Sequence, residues 1–250
     1  MKFKLTLLTA IALLTVVATA RAQEHQPSLP KGAVIGMPVR LGDKVILIPE
    51  PEGFEEATSQ FESFKARTET TEAPQNDVLA AHLPAGDCEL LRKGSTLTYN
   101  FFTKVSVMKT VRELPISPAE MAAGVDDYRK HVGAYLDPDG PMLKELEKRI
   151  EAGLTRLDAK ETKIDFGKPQ QLGEFEVRPD LNSFLMLITL KSNSGGTEQT
   201  IPMLATTSFV RVKERVIFVY CFMKYGSQAD IDKIKKFATK WTNSILEANR

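Results

Sequence analysis

The sequence predicts an α+β protein with a central antiparallel sheet covered by helices on both faces. Two strand-length segments, Ser183–Leu190 (SFLMLITL) and Val216–Met223 (VIFVYCFM), are apolar at odd and even positions alike. A strand apolar on both faces has to be covered on both. The connections beside them, Ser192–Thr197 (SNSGGT) and Lys213-Glu214-Arg215, are far shorter than the dozen or more residues of a parallel crossover, so neighbouring strands must run antiparallel. Helical periodicity occurs both before and after this strand region, which supplies a helical layer for each face.

The chain opens on an address. Lys2 and Lys4 form a positive start, Leu5 to Ala20 is an uncharged apolar run, and small residues satisfy an Ala-x-Ala rule at Ala18–Ala20 and again at Ala20–Ala22. That order of features predicts a secretory signal over residues 1–22, cut between Ala22 and Gln23. The run is short for a transmembrane span, which needs about 20 apolar residues; an uncleaved anchor is the alternative reading. No cysteine stands at the cleavage point to take a lipid. Residues 23–43, punctuated by Pro27, Pro30, Gly32, Gly36, Pro38 and Gly42, read as an extended lead-in with a short strand at Ala33–Ile35. Residues 44–250 read as a single α+β domain.

Within that domain Val45–Ile48 is a short strand ended by Pro49-Glu50-Pro51-Glu52-Gly53. The Glu- and Thr-rich stretch 55–76 reads as a surface excursion, and Asp77–Leu83 as a strand stopped by Pro84. Leu97, Tyr99, Phe101, Val105 and Val107 alternate with Thr98, Asn100, Lys104 and Ser106, a period of two that predicts a long strand with one buried face. Ser117-Pro118-Ala119-Glu120 combines an N-cap serine, proline at the first helical position and glutamate three residues after the cap. Met121, Val125, Tyr128, Val132 and Tyr135 follow at helical spacing. The Asp137–Pro141 stretch (DPDGP) then breaks the chain into a second helix, with an apolar stripe of Met142, Leu146, Ile150, Leu154 and Leu157 and a charged face that includes Glu145 and Arg149. The last helix starts at Ser227 with Asp230 as its capping acid and carries Ile231, Ile234, Phe237, Ala238, Trp241 and Ile245 on one face.

Charge and motif content exclude several functions. Removing residues 1–22 leaves 30 basic against 32 acidic side chains, so there is no basic excess to hold nucleic acid. No second apolar run reaches spanning length, so no membrane span is expected after signal removal. Nucleophile-elbow, zincin, Cys-x-x-Cys, Walker and Rossmann patterns are all missing. The three histidines, His25, His82 and His131, are scattered without ligand spacing, which argues against a zinc or imidazole-based site. An EF-hand reading of Asp137–Gly140 fails because its twelfth position is Lys148 rather than glutamate. No catalytic, cofactor or metal residue is therefore assigned. Glu50, Glu52, Glu55 and Glu56 are the one carboxylate group able to serve a motif-free hydrolase, and they read equally as a solvated rim.

Cys88 and Cys221 are the only cysteines. In an oxidising compartment an even pair is a possible disulfide. Cys221 lies in an apolar strand, where a free thiol packs as a small hydrophobe, and both readings stand at the level of sequence. No Asn-x-Ser/Thr sequon occurs, which leans the location towards a bacterial periplasm or exterior.

Residues Phe209–Asn249, with a strand, a tight turn, a second strand ending in VYCFMKY and the helix IDKIKKFATKWTNSILEAN, resemble the PsbP-like family, as does ILIPEPEGF at Ile46–Phe54. The resemblance implies an antiparallel sheet between helices, with the 118–157 helices as a variation, and a role among exported accessory proteins; it transfers no functional residue. The expectation is an exported, soluble, non-catalytic binding or accessory protein without cofactor, whose partner is an unknown protein or small ligand. The alternative is an exported hydrolase that uses carboxylates.

Overall fold

The alternation read from the sequence becomes a sheet with two different apolar sides. A computed structural model describes residues 36–95 and 97–250; the signal, the Ala22–Gln23 junction and the strand expected at Ala33–Ile35 lie outside them. Strands β1 (Met37–Leu41) and β2 (Lys44–Ile48) pair as a separate antiparallel hairpin. Part of the stretch read as an extended lead-in is therefore strand: Val39 and Leu41 alternate with polar neighbours and bury their side chains beside Ile46 and Ile48.

The main sheet has eight antiparallel strands. Its members are β3 (Phe54–Glu56), β4 (Asn76–Pro84), β5 (Phe101–Met108), β6 (Thr162–Asp165), β7 (Gln170–Arg178), β8 (Leu181–Ser194), β9 (Thr197–Val212) and β10 (Arg215–Lys224). The order is β3-β4-β5-β10-β9-β8-β6, with β7 also on β8. The two doubly apolar segments lie in β8 and β10, each flanked on both sides by other strands, as their composition requires. Gly195-Gly196 (φ 57° and 84°) link β8 to β9, and Lys213-Glu214 (φ 46° and 63°) link β9 to β10. Left-handed geometry at both turn residues matches the strand twist in a two-residue hairpin.

Side chains divide by parity between two cores. On β10, Phe218, Tyr220 and Phe222 join a core with α3 (Pro118–Tyr135), α4 (Pro141–Asp158), α1 (Glu62–Thr71) and α2 (Ala85–Arg92). Ile217, Val219, Cys221 and Met223 join a core with the β1–β2 hairpin and α5 (Gln228–Ala248). Helices thus cover both faces. Ser117 caps α3 as expected: its Oγ accepts the Glu120 N–H at 3.2 Å while Glu120 Oε2 accepts the Ser117 N–H at 2.9 Å. At α5 the Asp230 carboxylate accepts the Ser227 and Gly226 N–H groups at 2.8 and 3.0 Å.

Three expectations are corrected. Residues 55–76 are no mere surface excursion: they hold β3 and α1, and α1 packs so closely on α4 that a Cβ at Gly153 would stand 2.0 Å from Thr70 Cγ2. That contact turns α4, so that Leu143, Leu146, Ile150 and Leu154 are buried while Leu157 is 38% exposed. The strand expected from Leu97 starts only at Phe101, although Leu97 and Tyr99 are buried. Cys88, on α2, and Cys221, on β10, are both free thiols buried in the two different cores, with the sheet between them, so they form no bridge.

Candidate functional site

The carboxylates singled out at residues 50–56 do not converge on a cleft. Glu52 pairs with Lys240 of α5 and Glu55 with Arg92 of α2. Glu50 accepts the Glu56 N–H at 3.0 Å, and Glu56 accepts the Thr58 and Ser59 N–H groups at 2.8 and 2.9 Å. Burial works to raise the Glu56 pKa, but the Ser59 and Thr58 donors outweigh it and hold the carboxyl below its ordinary value. These glutamates shape the turn between β3 and α1 and fasten neighbouring elements to it.

The histidines and cysteines are equally remote from chemistry. His82 is fully buried on the α5 side of β4, with Nδ1 3.1 Å from Thr103 Oγ1 and its ring edge-on to Trp241 at 5.2 Å between centroids. Burial pushes its pKa down to about 4, against a small opposing pull from Glu56. His131 lies half exposed on α3, with its Nδ1 2.8 Å from the Asp127 carbonyl oxygen. Burial raises both thiols to about 12, which leaves them without thiolate at neutral pH.

The structure assembles its polar chemistry elsewhere, on the opposite face of β5. Lys104, only 1% exposed, shares the parity of Phe102 and points towards the helices. Its Nζ lies 2.6 Å from Glu72 Oε2 and 5.3 Å from the Tyr220 ring centre, Tyr220 being its register partner on β10. Glu72 is the C-cap of α1; its other oxygen accepts the Ala73 N–H at 3.0 Å and Asn76 Nδ2 at 2.9 Å. Burial drives the Tyr220 phenol well above its usual pKa, Glu72 adds to that, and the Ser106 hydroxyl beside it opposes it. Two unlike charges and a neutral phenol therefore sit inside an otherwise apolar layer.

This polar cluster meets the surface in a cleft of about 410 Å³, lined by Glu69, Glu72, Asn76, Asp77, Arg112 and Arg149 among others. Asp77 is engaged by Arg112 at 2.7 Å and by Lys109 at 3.8 Å. Arg149 donates through Nη1 to the Thr70 carbonyl at 3.1 Å, and its Nη2 has no partner among the described residues. Burial lowers the Arg149 pKa, with Glu72 and Glu145 acting in the other direction. Asn76, 6% exposed, uses its amide nitrogen on Glu72 and leaves Oδ1 without a partner. A second cleft of about 330 Å³ lies between α3 and β7–β8. It is crossed by Arg129, whose guanidinium binds both oxygens of Glu174 at 2.8 and 2.7 Å.

The sequence reading missed Glu72, Asn76 and Lys104 because it gave β5 one buried face and set Lys104 on the other. The signal that could have found them is Phe102 and Met108, which share the parity of Lys104 and mark its face as covered. Arg149, set on the charged face of its helix, lies instead over Thr70. Among the described residues no group of His, Cys, Asp and Glu is arranged to hold a metal.

Fold and cleft together define an α+β protein with a charged, mostly self-paired opening on one helical face. No protein-family model and no curated protein matches the sequence. Two similar solved structures are a mutant of protein Mog1 (12% identity, TM-score 0.32, covering 86% of this chain and 92% of that one) and the Saccharomyces cerevisiae Ran-binding protein Mog1p (12% identity, TM-score 0.30, covering 87% and 93%). Likeness at this level carries no conclusion about what the present chain does.

Proposed function

We propose that the mature chain is an exported, soluble binding or accessory protein of a bacterial periplasm or exterior, acting without catalysis on a small ligand or a protein partner. The observation that supports this reading is where the reactive groups lie. His82 and both thiols are sealed in apolar cores, and Glu50, Glu52, Glu55 and Glu56 are committed to turns and ion pairs. An enzyme needs a nucleophile, acid or base within reach of a bound substrate. A cleft held by fixed charges needs only to recognise. Export is supported by the charge, apolar run and small-residue sites of residues 1–22, and the PsbP-like resemblance of Phe209–Asn249 points to the same class of exported accessory protein. Among the described residues no helix is long and apolar enough to cross a membrane.

The test is expression of the full chain with its own leader in a bacterial host, followed by fractionation, intact-mass measurement and assay on chromogenic ester, phosphate and glycoside substrates. The expected product is periplasmic, begins at Gln23 and turns over none of them. Soluble protein that keeps Met1–Ala20, or a hydrolysis abolished by Glu55→Gln or Glu56→Gln in a folded protein, overturns the reading.

A further inference from the structure

The cleft beside α1 and α4 holds two complementary polar groups that the protein leaves unused. Arg149 has no carboxylate within ion-pair distance among the described residues; one guanidinium nitrogen is spent on the Thr70 carbonyl and Nη2 bonds to nothing. A buried donor on a cation loses its water and regains nothing unless an anion takes that place. Asn76 presents the opposite need. Because Nδ2 donates to Glu72 at 2.9 Å, the amide cannot turn over, and Oδ1 remains as an acceptor without a donor. Both side chains line the same cleft.

The remaining charges decide what fits. Glu72 is neutralised from within by Lys104 at 2.6 Å, and Asp77 by Arg112 at 2.7 Å. The lining charges free of any ion pair are the Arg149 cation and the exposed Glu69 carboxylate. A doubly charged phosphate would have Glu69, Glu72 and Asp77 around it, and a bare cation would have Arg149 and Lys109. One cation and one anion beside an orphaned acceptor complement a molecule that carries both charges close together.

We propose that this cleft binds a free α-amino acid, its carboxylate on Arg149 and its ammonium group on Asn76 Oδ1 and Glu69. The volume of about 410 Å³ falls in the range of small-ligand sites, about 300–1,000 Å³. Lys104 and Glu72 serve as positioning residues: the pair fixes the carboxylate that fixes the Asn76 amide. This inference rests on the binding-protein reading and gives that binding its ligand class.

The experiment is calorimetric titration and thermal denaturation of the mature protein with glycine, L-alanine and L-glutamate, and separately with acetate and methylammonium. A ligand that binds only the folded state raises its melting temperature. The expected result is that at least one amino acid binds about tenfold or more tightly than acetate or methylammonium, since each of these satisfies only half of the site. Arg149→Gln, a change on a half-buried helix position, should abolish the titration while the protein stays folded, and Glu69→Gln should weaken it. Three results overturn the inference: no binding by any of the amino acids at millimolar concentration, acetate binding as tightly as glycine, or unchanged titration in folded Arg149→Gln. Leader processing and substrate turnover are read in different assays, so a failure here is distinguishable from a failure of the exported-binding reading.

Discussion

Replacing His82 with glutamine should flatten the pH dependence of stability over the range from 7 to 5. The imidazole is fully buried between Thr103 and Trp241, and desolvation lowers its pKa from 6.5 to about 4. The unfolded chain takes up a proton below about pH 6.5, whereas the folded chain refuses it until about pH 4. The stability that His82 contributes is thus complete above 6.5 and is lost as the pH falls from there towards 4. Each tenfold difference in proton affinity is about 1.4 kcal/mol. The full loss is therefore about 3 kcal/mol, of which about 2 kcal/mol falls between pH 7 and pH 5. Carboxyls held below their ordinary values, such as Glu56, Glu120 and Asp230, also lose stability on acidification, but in a lower window. Trp241, the only tryptophan, is buried and reports unfolding directly, so urea titrations followed by its fluorescence at several pH values give the slope. Glutamine can still bond Thr103 and cannot take up the proton. A wild-type profile that is flat from pH 7 to 5, or a slope that survives in His82→Gln, refutes the assignment.

Other substitutions test the packing and the polar cluster. Phe218→Ala empties a fully buried site on the central strand β10 and should cost about 3–5 kcal/mol in urea denaturation; an unchanged midpoint would mean the strand is misplaced. Lys104→Met leaves the Glu72 carboxylate buried without its cation and should cost about 3–5 kcal/mol, most of it recovered when Glu72→Met is added. Ser117→Ala removes the N-cap of α3 and should lower stability by about 0.5–2 kcal/mol, visible as a reduced melting temperature. Thiol labelling of the folded protein should be negligible without any reductant and reach both cysteines only on unfolding, because Cys88 and Cys221 are separately buried and protonated; a mass lower by two protons in the untreated protein would reveal a bridge instead.

The parts of the fold that were legible in the sequence are those set by local chemistry. Ser117 and Glu120 mark the start of α3 because each satisfies a backbone donor that no helical bond can reach, and the doubly apolar β8 and β10 have to be interior strands. The missed elements owe their structure to distant partners. Helix α1 (ESFKARTETT) has no apolar stripe of its own and exposes its polar ends. It is held by Phe64 in the core, by the Arg67 pair with Asp158 of α4, and by the close Thr70–Gly153 contact. None of these is visible within a ten-residue window. The lead-in strand β1 was obscured in the same way, since it gains a partner only when β2 folds back over Gly42. Cys88 and Cys221 could not be assigned from spacing, because what separates them is the thickness of a sheet.

The candidate site was the least legible part, for a reason that also bears on what it is for. A lysine in an alternating strand is ordinarily a solvent residue, and burial of Lys104 can be read only from Phe102 and Met108 on its own side. Burying it with Glu72 brings little stability over an apolar pair of equal volume, because desolvation offsets the attraction. The geometric effect is definite. With Lys104 on one oxygen, and the Ala73 N–H and Asn76 Nδ2 on the other, the Glu72 carboxylate can accept the Asn76 amide in only one orientation. That leaves Oδ1 as the free acceptor beside the unpaired Nη2 of Arg149. An apolar replacement would preserve the sheet and release the amide, so the cost of the buried pair makes sense only where a fixed polar arrangement at the cleft is required.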